Sequence, residues 1–253
     1  MPLCKFCGAD RRLIKAHIIP EAFFRQLKVP GETPILVSSR KGHFKKKSPI
    51  GVYDSNILCA ECEGLFAAPD NYGAKILIQE FDSLFEPVIR HGRIVAFTGK
   101  GIDQTLLQKF LVGTLWRASV SGQDYYSNVR LGPLEEMAKA AFLDPTHPEA
   151  HRFSSLLSRW QVSKERESLA DAMMDPLPEK WNQVRAYRFY FGRTVAYIKA
   201  DNRKFGRNFQ QLSLGARLEP VAITRDFDSS KDFAAMVRVA RLQARADAEM
   251  GTA

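Results

Sequence analysis

The chain has 253 residues, of which 45% are hydrophobic and 26% are charged. This is the composition of an ordinary globular protein, and it excludes disordered, collagen-like and coiled-coil chains. No apolar run approaches the ~18 residues that a membrane-spanning helix needs, and the first residues lack the apolar stretch of a secretory signal. We therefore expect a cytoplasmic protein with no membrane partner.

The net charge of +9 is concentrated near the N-terminus. Residues 1–50 contain 11 Lys and Arg against three Asp and Glu, a net charge of +8, and the rest of the chain carries only +1. A localised positive field attracts polyanions, so nucleic acid is the expected partner. A solvated basic surface without a partner is the alternative.

All four cysteines fall into two Cys-x-x-Cys pairs. The pairs are Cys4 with Cys7 and Cys59 with Cys62, and 51 residues separate them. Two thiolates three positions apart can point at one centre, and two such pairs supply the four sulfur ligands of a structural Zn²⁺ site. Redox dithiols and buried apolar cysteines are the alternatives, but we expect neither pair in the strand-to-helix setting of thioredoxin. A site closed by four thiolates has no open ligand position, so any chemistry must come from other residues.

Two further short motifs lie between the cysteine pairs. His17-Ile18-Ile19-Pro20 follows the first pair, and Asn56-Ile57-Leu58 leads directly into the second. In this order, the motifs of residues 1–75 resemble the HNH endonuclease family, the His-Me finger or ββα-metal nucleases with a four-cysteine zinc knot. The resemblance implies a β-hairpin and a helix around a catalytic divalent metal ion, in a zinc-stabilised, treble-clef-like module.

The resemblance also implies roles for individual residues. His17 matches the general base, which takes a proton from the water that attacks a phosphodiester. Asn56, or less readily Asp54, matches the asparagine whose side chain holds the hairpin loop and so orients the histidine. The next helix is expected to bind a catalytic Mg²⁺ or Mn²⁺, for which Glu63 and Asp70 offer hard oxygen ligands. Without the resemblance, a histidine alone in an apolar stretch is more often a packing residue.

Two features depart from the family pattern. The residue before the expected base is Ala16, where the family has an acidic or histidine metal ligand. Pro69 lies between Glu63 and Asp70, and because proline disrupts a helix interior, we do not expect one regular helix to carry both acids. These departures favour an alternative, a non-catalytic zinc-containing DNA-binding protein with a degenerate HNH fold. A protein-interaction scaffold without nucleic-acid affinity is a third hypothesis.

Basic side chains in the same segment are candidates for contacts with nucleic-acid phosphates. Two of them share one face of a short helix expected to begin near Pro20, although a solvated helix edge fits that pair equally well. Residues 40–47 indicate a basic loop. The expected nucleic-acid-binding residues are Arg25, Lys28, Arg40, Lys41, Lys45, Lys46 and Lys47.

Residues 76–253 form the second predicted unit, a mainly helical α+β accessory domain. Its candidate roles are substrate choice, inhibition of the nuclease until it is needed, and binding of a protein partner or a second copy of the chain. Trp116 and Arg117 within it either face nucleic acid or pack with the arginine tip reaching solvent. The patterns predict helices over 74–90 and 103–119, over 149–173 with a break near Gln161, from Pro133, and after Ser229. They predict strands at 92–99 and 218–223, and a late β-hairpin at 187–199 that turns at Gly192-Arg193.

Together these expectations describe an α+β protein in which an HNH-like zinc module, residues 1–75, packs on residues 76–253. The expected activity is metal-dependent hydrolysis of nucleic-acid phosphodiester bonds, with DNA as the substrate. Bacterial proteins that resemble this family often act in defence against foreign DNA such as phage genomes.

Overall fold

The computed structural model describes residues 2–26, 35–37, 46–47, 51–166, 170–171, 173–181, 183–238 and 241. The fold is mixed α+β, with 39% helix and 29% strand, which confirms the predicted class. Among the helices of these residues, none has both the length and the apolar character that crossing a membrane requires.

A β-hairpin followed directly by a helix forms the N-terminal part of the fold. Strand β1 (Leu13–His17) pairs antiparallel with strand β4 (Tyr53–Cys59), and helix α2 (Ala60–Ala74) begins at the next residue. Cys59 therefore ends a strand and Cys62 lies in the first helical turn, so the expectation that neither cysteine pair has a strand-to-helix setting was wrong. The elements between the two strands are α1 (Glu21–Gln26), β2 (Ile35–Val37) and β3 (Lys46–Lys47).

Helix α2 runs through Pro69 and carries both Glu63 and Asp70, so the expectation that proline separates these acids was wrong. Proline removes one backbone N–H and leaves the carbonyl of Leu65, four residues earlier, without its helical partner. Leu65 is 49% exposed, so water can hydrate this carbonyl. The helix then continues as a π-helical segment (Lys75–Gln79).

A seven-stranded sheet dominates the second half of the chain. Its strands are β5 (Phe85–Arg90), β6 (Arg93–Gly99), β7 (Ser155–Gln161), β9 (Leu177–Trp181), β10 (Val184–Phe191), β11 (Thr194–Lys199) and β12 (Val221–Asp226). Their spatial order is β5-β6-β12-β7-β11-β10-β9, and β12 with β7 is the parallel pair in this sheet. Strand β8 (Met173–Met174) pairs with β2 in a separate small sheet of order β3-β2-β8.

One long helix connects the two halves of the fold. Helix α4 (Gln104–Val120) begins where the Asp103 carboxylate accepts the backbone N–H of Leu106, and almost all of its second half is buried. One hydrophobic cluster joins Cys4, Phe66 of α2, Leu111 of α4 and Phe189 of β10, so this cluster continues across residue 75. The remaining helices are α3 (Phe81–Leu84), α5 (Leu134–Leu143), α6 (Arg207–Gln210) and α7 (residues 231–238).

Several predictions for residues 76–253 are confirmed. The helices α4 and α5, the strand β6 and the β10–β11 hairpin lie where the patterns place them. Gly192 in the hairpin turn has φ 59°, a left-handed conformation that favours glycine.

Where the structure describes residues 76–253, a seven-stranded sheet accompanies the helices, so the expectation of a mainly helical domain was wrong. The predicted helix over 149–173 is a 3₁₀ segment (Pro148–Phe153) followed by β7, and the end of the predicted helix over 74–90 is β5. Successive residues of β7 are buried on both of its faces, so its apolar residues do not alternate. A strand of this kind cannot be distinguished from a buried helix by periodicity.

Candidate functional site

The four cysteines meet at one point beside the hairpin. The ligand atoms of Cys4, Cys7, Cys59 and Cys62 all lie within 4.8 Å of one another, and the cluster can hold a metal ion such as zinc. Cys4, Cys59 and Cys62 are buried, and Cys7 is exposed. Local backbone geometry builds the first pair, because Gly8, at φ 73°, donates its N–H to the Cys4 carbonyl at 2.8 Å.

Hydrogen bonds and burial shift the pKa values of Cys4, Cys59 and Cys62 in different directions. The backbone N–H of Cys62 lowers the pKa of Cys59 to about 7. Burial acts to raise the pKa of Cys4, but the N–H groups of Cys7, Cys59 and Phe6 outweigh it and the pKa is lowered. Burial and the neighbouring cysteines raise the pKa of Cys62 well above its usual range. Further thiolates are therefore costly without a cation, and an all-sulfur donor set suits Zn²⁺.

His17 lies at the end of β1, directly across from Tyr53 of β4. Its ring contacts the Tyr53 ring edge-on, with centroids 6.0 Å apart. Its Nε2 atom is buried. Its backbone is held from two sides, because its N–H donates to Glu63 and its carbonyl accepts a hydrogen bond of 2.9 Å from Arg117 Nη1.

An open cleft of about 430 Å³ brings the predicted general base and the two predicted metal ligands together, whereas Asn56 does not line it. His17 of β1 and the acids Glu63 and Asp70 of α2 share this cleft, with Arg25 of α1 at its side. The cleft is lined by His17, Pro20, Glu21, Ala22, Arg25, Glu63, Ala67, Asp70, Asn71 and Gln79. The α2 residues recur at spacings of three and four, which places them on one face of the helix.

The two acids of α2 have different partners. Both carboxylate oxygens of Asp70 accept hydrogen bonds from Arg117, Oδ1 from Nη2 at 2.6 Å and Oδ2 from Nη1 at 2.7 Å. Glu63 accepts the His17 N–H, but its Oε2 is buried with no hydrogen-bond partner among the described residues. Burial raises the pKa of both carboxyl groups, although the charge of Arg117 opposes the shift in each. Asp70 is thus already neutralised by an arginine, and Glu63 has an oxygen available to a further group.

Within the described part of the chain, the cysteine cluster is the one group of three or more His, Cys, Asp and Glu ligand atoms that converge within 4.8 Å. The residues Glu63 and Asp70 therefore do not form a second such cluster with His17. Their role in binding a catalytic metal stays a prediction.

Asp54 has the holding contacts that the sequence analysis assigned first to Asn56. The Asp54 side chain is 1% exposed and accepts hydrogen bonds from the Ser121 hydroxyl at 2.9 Å and the Gly122 N–H at 2.8 Å. Its other oxygen accepts the backbone N–H of Asn56 at 2.8 Å, and Asn56 itself is exposed. The carboxylate of Asp54 thus holds β4, and this is a correction to the expected role of the Asn56 side chain.

The expected phosphate-binding residues are only partly described. Arg25 is 69% exposed and its Nε donates to Glu21 at 2.8 Å, which places an ion pair at the side of the cleft. Lys28, Arg40, Lys41 and Lys45 lie outside the described residues. Lys46 and Lys47 form β3, but their side chains lie outside the described set.

Sequence reasoning missed Arg117 as part of this site. Arg117 is fully buried, so neither expected position, facing nucleic acid or reaching solvent, is correct. The periodicity of α4 carried a signal, because Arg117 follows Phe110 and Thr114 by seven and three residues and so lies on the same buried stripe. An arginine in a core stripe requires a buried acid as its partner.

Comparison of the chain with models of known protein families, with curated proteins and with solved structures found no match.

Proposed function

We propose that this protein is a metal-dependent endonuclease that hydrolyses phosphodiester bonds of nucleic acid, with DNA as its substrate. The observation that carries the proposal is the cleft in which His17 of β1 faces Glu63 of α2 beside the cysteine cluster. The hairpin, the helix that follows it and the cluster of four cysteines support the treble-clef-like ββα-metal arrangement that the HNH resemblance implies. The excess of basic residues in the first 50 positions suits a polyanionic substrate.

His17 is assigned as the general base. Its imidazole takes a proton from a water molecule in the cleft. The resulting hydroxide attacks the phosphorus of the scissile phosphate. Hydrogen bonds on both sides of the His17 backbone keep the ring at a fixed place on the cleft wall.

Glu63 is the residue that best fits a catalytic metal ion. A buried carboxylate oxygen without a hydrogen-bond donor is costly, and a hard divalent cation such as Mg²⁺ or Mn²⁺ is the kind of group that such an oxygen binds. Glu63 would hold this ion at the α2 wall of the cleft. Such an ion supplies Lewis-acid stabilisation of the charge that develops on the phosphate oxygens. Asp70 supports the site through Arg117 instead.

A non-catalytic DNA-binding protein is the second candidate function. It is favoured by Ala16, which is fully buried before His17 and offers no ligand, and by the pairing of Asp70 with Arg117. This candidate predicts salt-dependent binding of DNA without cleavage.

The test is a plasmid-nicking assay with Mg²⁺, with Mn²⁺ and with EDTA. We expect His17→Ala and Glu63→Gln to lower the cleavage rate at least about 100-fold, the effect typical of a lost general base or metal ligand. The matched control is His91→Asn, which changes an exposed histidine at φ 51° in the turn between β5 and β6 and should leave the rate unchanged. Equal cleavage by wild type and His17→Ala would remove His17 from the mechanism, and binding without any cleavage would favour the second candidate.

A further inference from the structure

Arg117 connects three elements of the candidate site. It lies on α4, and its side chain is fully buried. Its Nη1 donates both to the His17 carbonyl on β1, at 2.9 Å, and to Asp70 Oδ2 on α2, at 2.7 Å. Its Nη2 donates to Asp70 Oδ1 at 2.6 Å, and the guanidinium lies 4.6 Å from the centre of the Phe66 ring. One planar group therefore contacts both walls of the cleft.

A contribution to stability alone does not explain why a charged arginine is buried at this position. Burying an ion pair removes hydration from two charges, and apolar residues of similar size often stabilise a core as well or better. A bidentate arginine does fix geometry, because its rigid fork matches both oxygens of one carboxylate. Nη1 donates hydrogen bonds to both His17 and Asp70. A movement of either partner that carries the guanidinium with it therefore strains the hydrogen bond to the other.

We propose that Arg117 is a positioning residue of the nuclease site, which fixes the His17 backbone against the α2 wall that carries Glu63. This inference rests on the proposed function. It also means that residues 1–75 are incomplete as a catalytic unit, because the group that aligns the two cleft walls comes from α4. Arg117 has no contact with solvent and therefore none with substrate.

The test compares Arg117→Lys and Arg117→Met with a matched variant, Arg188→Met. Arg188 is also a nearly buried arginine, and it pairs with Asp232 at 3.0 Å and Glu179 at 3.3 Å, away from the cleft. Each protein is assayed for its single-turnover cleavage rate at saturating DNA, its DNA dissociation constant, its zinc content and its folded fraction. The rate and the dissociation constant separate alignment of the catalytic groups from substrate binding.

We expect cleavage by folded protein to fall about 10-fold in Arg117→Lys and about 100-fold in Arg117→Met, because misplacement of about 1 Å can cost this much. Lysine keeps the charge but loses the fork, which gives the intermediate value. DNA affinity should change less than about twofold, because the residue touches no substrate, and Arg188→Met should retain the wild-type rate per folded molecule. Wild-type rates in folded Arg117 variants, or equal losses in the Arg117 and Arg188 variants, would overturn the proposal.

A second measurement does not depend on activity. Amide hydrogen exchange of residues 16–18 should accelerate in Arg117→Lys relative to wild type, while exchange in the β10–β11 hairpin stays unchanged. Unchanged exchange at residues 16–18 would overturn the positioning role even if the wild-type protein cleaved DNA. If wild type cleaves nothing but this local exchange responds, the proposed function fails and the alignment of the two walls by Arg117 stands.

Discussion

Asp54 joins two segments that are far apart in the chain. Its carboxylate binds the Ser121 hydroxyl and the Gly122 N–H just beyond α4, and it also caps the N–H of Asn56 in its own strand. The last contact stabilises an irregular stretch of the hairpin, in which Lys15 of β1 stands opposite residues 55–57 of β4. The sequence motif could not distinguish Asp54 from Asn56, because this bulge decides which side chain points inward.

We expect Asp54→Asn to destabilise the protein by about 1–3 kcal/mol. The asparagine NH₂ group would replace one of the two carboxylate oxygens, so at least one of the three N–H and O–H groups that Asp54 accepts would lose its acceptor. Asn56→Ala is the control, and since that side chain is exposed, its effect should stay within about 0.5 kcal/mol. Denaturant unfolding of both variants measures the difference. Similar stabilities for the two variants would show that the carboxylate of Asp54 is not the group that holds β4.

At the scale of elements, α2 and α4 cross in close contact at Gly73. Gly73 of α2 lies against the Phe110 ring of α4 so closely that a Cβ atom there would be 2.4 Å from the ring. Phe110 in turn stacks on Phe23 of α1, with centroids 5.4 Å apart. The close approach of these helices therefore depends on glycine, which has no side chain, at position 73. Because Phe110 also contacts Phe23, a displacement of the Phe110 ring would shift α1.

Two glycines of α2 give a matched pair for testing this crossing. Gly73→Ala should destabilise the protein by about 1–3 kcal/mol, because the methyl group overpacks a buried ring. Gly64→Ala should instead stabilise it by roughly 0.5–1 kcal/mol, since a Cβ at Gly64 has nothing within 4 Å and alanine favours a helix interior. Thermal and denaturant unfolding of both variants gives the two free energies. Equal signs for the two changes would mean that the crossing tolerates a wider separation of the helices.

The elements that the sequence predicted are those whose signals are local. Helix α4 has an N-cap at Asp103 and a long apolar stripe, and the β10–β11 hairpin has a glycine at its turn. Strand β7 was misassigned because it lies inside a sheet and is buried on both faces. The same distinction holds within the candidate site. The local spacing of the cysteines predicted their cluster, whereas the pairing of Asp70 with Arg117 spans 47 residues and has no local signal.

At the scale of the whole molecule, the cysteine cluster belongs to the main hydrophobic core. The same buried cluster includes Cys4, Cys59 and Cys62 and extends to Ala196 and Ala222 in the large sheet. The cysteine cluster therefore packs with the rest of the fold, and the free energy of binding a metal ion there would contribute to folding of the surrounding structure. The boundary predicted at residue 75 has no counterpart in this core.

Removal of the metal should therefore destabilise the whole chain. We expect elemental analysis to find one Zn²⁺ per chain and chelation to lower Tm by roughly 10–20 °C, the shift that a loss of only about 5 kcal/mol gives in a chain of this size. Zn²⁺ added back should restore Tm and Mg²⁺ should not, because an all-thiolate site suits zinc and not a hard cation. Scanning calorimetry with and without chelator measures this, with Cys59→Ser as a variant that removes a buried ligand. A zinc-free protein with unchanged Tm would contradict the metal site. A continuous core should unfold as one cooperative unit, so two separate unfolding transitions, of which chelation lowers only one, would contradict the shared core.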